Sequence, residues 1–226
     1  MMLELPVYVP VLFLLTVIIS IGWFYQATKS RSLLLMLTGW TVLQTILGLL
    51  GVYQQTDRLP PRILAFGFFP ALLILVLYLF FGKGKRLIAQ TNLSTLTGFH
   101  SIRILVEIVL LLLFYYQMTS IYMIVEGHNY DILSGVSAVA VALVAGQTGA
   151  EKKKLLLWWN IVCLLLLFNV IARAILSTPS PLQRWAFEQP NLAVLYFPFN
   201  LLPTVIVPLV LVAHLIAIKR LTNKSV

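Results

Sequence analysis

Seven apolar stretches, separated by short polar segments, leave this chain little choice of fold. A helix that crosses a bilayer needs about 20 mostly apolar residues. Such stretches lie at Val7–Ala27, Ser32–Tyr53, Ile63–Phe81, Thr95–Ile121, Ile132–Gln147, Leu155–Leu176 and Ala193–Ile218. The composition agrees, because 226 residues that are 60% hydrophobic and 10% charged are too apolar for a soluble domain. The expected architecture is all-α, one seven-helix transmembrane bundle over residues 1–226. Glu4 stands where a secretory signal would carry Lys or Arg, so the first span is expected to stay uncleaved. Cys163 is the single cysteine, which excludes a disulfide within the chain.

Basic residues orient the expected bundle. Lys29, Arg31, Lys83, Lys85, Arg86, Lys152, Lys153, Lys154, Lys219, Arg220 and Lys224 fall on one side of alternating spans, against Arg58, Arg62 and Arg184 on the other. The positive-inside rule then puts the N-terminus outside and the C-terminus in the cytoplasm. The formal charge of +9 is thereby an orientation signal and a contact with anionic headgroups, with no nucleic acid implied. Asn92-Leu-Ser matches a glycosylation acceptor but falls on the cytoplasmic side.

The fourth stretch carries His100, Arg103 and Glu107 within a span. Charged groups at that depth are costly and mark sites. Their spacing predicts one helical stripe, on which Arg103 and Glu107 can pair as neighbours one turn apart. His214 reaches a similar inner depth, and the pair reads either as a structural bridge or as a ligand or proton site. An outer layer is expected from Asn169 and Arg173 on the sixth span, Glu126, His128, Asn129 and Asp131 before the fifth, and Glu188, Gln189 and Asn191 before the seventh. Ser134, Ala138, Ala142 and Gly146 repeat small residues every four positions, predicting that the fifth span is the most enclosed. Pro198, Pro203 and Pro208 predict kinks or unwinding in the seventh.

Two kinds of function fit these residues. One is a binding or transport-like bundle, in which Arg103, Glu107, Asn129, Asp131, Asn169, Arg173 and Gln189 meet a small hydrophobic or lipid ligand. The alternative is a membrane-embedded enzyme acting on a lipid or hydrophobic substrate, with Glu107 as acid or base. There His100 and His214 would serve as metal or haem ligands or as proton carriers. The residues specify no cofactor. A retinal protein is excluded, since no lysine for a Schiff base lies between Gln189 and Ile218.

The stretches Glu126-Gly-His-Asn-Tyr-Asp-Ile-Leu-Ser-Gly135, Phe187-Glu-Gln-Pro-Asn191 and Tyr196-Phe-Pro-Phe199 resemble those of a bacterial family of seven-span membrane proteins, mainly from Bacteroidetes. That family more often has Asp at the place of Glu188. The resemblance covers nearly the whole chain and implies a bacterial inner-membrane location. It brings no assigned activity and transfers no catalytic residue.

Overall fold

The computed structural model describes residues 5–81, 84–145 and 149–223. Glu4, Lys83, Gly146, Gln147 and Lys224, on which parts of the expectations fall, lie outside the described residues. Among the described residues the chain is helical, without strands. The helices are α1 (Tyr8–Thr28), α2 (Arg31–Leu49), α3 (Phe69–Phe80), α4 (Gly84–Gln90), α5 (Leu93–Phe99), α6 (Ile102–Tyr115), α7 (Ile132–Ala145), α8 (Ala150–Ser177) and α9 (Val207–Thr222). π-wound turns at Ile63–Phe68 and Leu202–Ile206 lead directly into α3 and α9. Six helical runs are long and apolar enough to cross a membrane, Tyr8–Thr28, Arg31–Leu49, Ile63–Phe80, Leu93–Tyr115, Ala150–Ser177 and Leu202–Thr222, while α7 is a shorter apolar helix.

Local chemistry sets the boundaries. Lys29 adopts the left-handed conformation (φ 51°) that ends α1, and the Ser30 hydroxyl accepts from Leu33 N to open α2. Asn92 caps α5 by accepting from Thr95 N at 2.9 Å, so this asparagine has a structural role. At His100 the ladder tightens, with His100 N bonding Thr97 O and Ser101 N bonding Gly98 O. These bonds to the third residue back divide the fourth span into α5 and α6 rather than one continuous helix. The helical run expected as a seventh span begins at Leu202, not Ala193, because Ala193–Leu195 forms only a single 3-10 turn and Pro198 follows in a non-helical turn.

The most enclosed run is Leu202–Thr222, 72% buried across its apolar window, followed by Leu93–Tyr115 at 61%. Helices α3, α5 and α8 pack on α9, and α1 and α2 on the π-wound turn before it. The expectation that the fifth span is most enclosed is thereby corrected. α7 buries only Ser134, Gly135 and Ala138, while Leu133, Val136, Val139 and Leu143 on its other faces are exposed. Its small residues serve close approach on one side: a Cβ at Gly135 would lie 3.2 Å from Arg103 Cβ and 3.1 Å from Ile104. Ser94 likewise donates to Ala142 O at 2.7 Å, so α7 runs antiparallel beside α5 and α6. A stripe of small residues reports one tight contact, and enclosure needs neighbours on every face.

The proline positions explain a second feature. A proline has no N–H for the carbonyl four residues earlier, which for Pro70 is Phe66 and for Pro208 is Thr204. Both carbonyls receive donors from α2, Gln44 Nε2 to Phe66 O at 3.0 Å and the Trp40 indole to Thr204 O at 2.8 Å. Tyr53 donates to the other end of the Gln44 amide, and Asn200 Nδ2 donates to Gln44 O at 2.8 Å. The two π-wound turns touch closely here, since a Cβ on Gly67 would fall 2.3 Å from Thr204 Cγ2. Sites of winding change commonly carry such compensation.

Candidate functional site

Arg103 leaves the first turn of α6 toward the axis of the bundle and is 2% exposed. Its Nη1 donates to Asp131 Oδ1 at 2.9 Å and lies 3.5 Å from Cys163 O of α8. Its Nη2 lies 2.8 Å from His214 Nε2 of α9, and His214 Nδ1 lies 2.9 Å from Asn160 Oδ1 of α8. A guanidinium only donates, so Nε2 of His214 is the acceptor and Nδ1 carries the proton that it donates to Asn160. The Asn160 amide nitrogen donates in turn to Leu156 O at 2.8 Å, which fixes its orientation. Asp131, Arg103, His214 and Asn160 thus form one directed chain across α6, α7, α8 and α9. Asp131 stands just before α7, where the positive end of the helix dipole adds to the guanidinium.

Glu107 is one turn further along α6, yet it does not pair with Arg103. The single ion pair among the described residues is Arg103–Asp131. Glu107 Oε1 instead accepts from Asn129 Nδ2 at 2.8 Å, and the same nitrogen donates to Met123 O at 2.9 Å. The expected Arg103–Glu107 pair is therefore replaced, and His214, expected at a similar inner depth, bonds Arg103. The cause lies between Tyr116 and Asp131. This segment turns back from the C-terminal end of α6 through short 3-10 turns at Ile121–Met123 and Val125–Gly127. It carries Asn129 and Asp131, expected in an outer layer, down to the level of Glu107 and Arg103.

The remaining outer residues join segments to one another. Asn169 Nδ2 donates to His128 O at 3.3 Å, and Arg173 donates to Asn169 Oδ1 at 3.1 Å and to Gly127 O at 2.6 Å. These bonds tie α8 to the descending segment. Gln189 Nε2 donates to Phe114 O and Thr119 O at 3.0 and 2.8 Å, tying the chain after α8 to the end of α6. None of the three reaches the inner cluster.

His100 stacks on His214, with ring centroids 3.9 Å apart and planes at 18°, and Trp159 meets His100 edge-on at 5.5 Å. Trp159 is held by its own donation to Ser137 Oγ at 3.0 Å. Stacked rings do not converge on a shared ion. Both His214 nitrogens are engaged, and no group of three His, Cys, Asp or Glu side chains able to hold a metal occurs among the described residues. Asn160 and Trp159 were not expected as members of the site. A lone asparagine inside the apolar run LLLWWNIVCLLLL was the available signal.

A cavity of about 100 Å³ reaches this cluster, several times the roughly 10–15 Å³ that one water needs. Arg103, Glu107 and Asp131 form its inner end, and Thr178 and Ser180 lie toward the end of α8. Its walls are otherwise apolar, among them Phe68, Leu110, Val170 and Ile206. The fold and site define a helical protein with membrane-spanning character, built around an internal charged cluster that meets an apolar cavity. The chain belongs to the family described as a domain of unknown function (DUF8737), whose model matches residues 60–222. No curated protein and no solved structure matches the chain. Every residue of the cluster and cavity falls within the matched range, whereas Trp40 and Gln44 precede it.

Proposed function

We propose that this chain is a seven-span protein of a bacterial inner membrane, of the kind found mainly in Bacteroidetes, that binds or carries a small hydrophobic or lipid molecule. The observation that carries this reading is the apolar cavity ending on Arg103, Glu107 and Asp131. Charges at membrane depth are costly unless they face protein, water or a bound group, and an apolar pocket with a few convergent polar groups is the usual form of a ligand site. Ile171, Ala174 and Ile175 of α8 and Pro203 and Val207 of the seventh span line the cavity and keep partial exposure, so its open flank is apolar and suits access from the bilayer.

Seven crossings are supported by the way α7 and the descending segment complement each other. The 14 residues of α7 make about 21 Å of helix at 1.5 Å per residue, short of the roughly 30 Å hydrocarbon core. The segment from Tyr116 to Asp131 makes up the remainder. Irregular backbone is tolerated at that depth where it is buried in protein, and Met123, Asn129 and Asp131 are buried. With seven crossings, the basic loops place the N-terminus outside and the C-terminus in the cytoplasm.

Binding is tested by narrowing the cavity. Val170→Trp should remove a small apolar molecule that the purified wild type releases on denaturation, as read by mass spectrometry. Equal release from both proteins, or none from the wild type, would refute a ligand in this cavity. Orientation is tested by reporter fusions at the C-terminus and between positions 83 and 86, both expected to read cytoplasmic.

A further inference from the structure

We infer the chemistry of the molecule that this cavity takes: an amphiphile whose polar end is a hydrogen-bond-donating cation, such as a primary ammonium, and not an anion. The inference rests on the binding reading above and narrows it. Three ionisable side chains line the cavity, Arg103, Glu107 and Asp131, two carboxyl groups to one guanidinium.

The two terminal nitrogens of the guanidinium are already engaged. Nη1 is engaged by Asp131 and Nη2 by His214, while Nε is buried without a partner, enclosed by protein. The Asn129 amide is likewise engaged, its nitrogen donating to Glu107 and to Met123 O. The carboxylates are in the opposite condition. Oδ1 of Asp131 and Oε1 of Glu107 are bonded, but Oδ2 and Oε2 have no hydrogen bond among the described residues. Two carboxyl oxygens without partners therefore stand at this end of the cavity, against one unpartnered but buried donor, Arg103 Nε. Asp131 has Arg103 as its counterion, whereas the nearest partner of Glu107 is a neutral amide.

A phosphate or carboxylate head entering this space would meet two carboxyl groups and a guanidinium whose terminal nitrogens are already engaged. An ammonium would supply both missing elements, the opposite charge and N–H groups for two unpaired oxygens. The apolar walls fit the chain behind such a head.

The test uses the whole protein in a neutral detergent and three probes that share a decyl chain, decylammonium, decanol and decanoate. Affinities come from titrating the shift in thermal unfolding midpoint, since a ligand that binds the folded state raises it. Decylammonium should bind at least about tenfold more tightly than decanoate, with decanol between them. Glu107→Gln should lower decylammonium to the level of decanol, and Glu126→Gln, which changes an exposed carboxylate, should leave the ranking intact. Decanoate binding as tightly as decylammonium, or decanol equalling it in the wild type, overturns the cationic head while leaving a ligand cavity in place. If none of the three stabilises the wild type, and Val170→Trp behaves identically, the cavity is no binding site and both readings fall.

Discussion

Two polar layers cross the interior of this bundle, and they are built on opposite terms. Around Gln44 the groups are neutral, and each main donor ends on a particular backbone carbonyl, Phe66 O, Thr204 O or Gln44 O. Around Arg103 the groups are ionisable, the terminal guanidinium nitrogens are engaged, and two carboxyl oxygens are left over beside a cavity. The first layer repairs a helix ladder interrupted by proline. Each layer leaves a buried group without a partner, Asn200 Oδ1 in the first and Arg103 Nε in the second, but only the second lines the cavity of about 100 Å³ with unmet carboxyl oxygens. Buried polarity therefore marks function only where its hydrogen-bonding capacity is incomplete toward a cavity.

The sharpest way to break this contrast is Arg103→Met. It strands Asp131 as a buried charge without its counterion, which typically costs about 3–5 kcal/mol, and equilibrium unfolding in mixed micelles should show a loss of that size. Adding Asp131→Leu should recover much of it, so that the double variant is less damaged than the sum of the single ones. A strictly additive result would mean that Arg103 and Asp131 do not act as a unit.

In the neutral layer the penalties are smaller. Gln44→Leu orphans Phe66 O and the Tyr53 hydroxyl, at a cost of about 1–3 kcal/mol for unsatisfied buried groups. A loss as large as that of Arg103→Met would erase the distinction between the layers. Gly67→Ala tests the close approach of the two π-wound turns, because its Cβ would fall 2.3 Å from Thr204 Cγ2. Overpacking of this kind costs about 1–3 kcal/mol, and Thr204→Ser in the same background should relieve part of it. Undiminished stability of Gly67→Ala would show that the turns can separate freely.

The smallest effect is expected at Glu107→Gln, less than about 1 kcal/mol in either direction. It keeps the shape and the contact with Asn129 and replaces a carboxyl group that has no counterion in contact. Should the same unfolding measurement show a loss matching that of Arg103→Met, Glu107 would be the paired carboxylate and the assignment of acceptors would be reversed.

Much of the fold was legible in the chain. The apolar stretches and the change of winding near Pro203 and Pro208 both depend on residues close in sequence. His100, Arg103, Glu107 and His214 were identifiable for the same reason, since charge and imidazole inside an apolar run stand out without knowledge of neighbours. Their partners were not. Spacing on α6 favoured Glu107 for Arg103, but Asp131 lies 28 positions away and wins by entering the bundle axis on an irregular segment. The enclosure of α7 was misjudged similarly, because small residues encode how closely two backbones can approach and not how many neighbours surround a helix.

By itself the sequence determined what each segment is, helix or turn, apolar or charged, since those properties arise from groups within a few residues of one another. Which acceptor meets which donor, which helix lies at the centre, and which carboxylate oxygens remain free were decided only by the tertiary structure. Those outcomes depend on distances between residues far apart in the chain, fixed when every helix has found its place against the others.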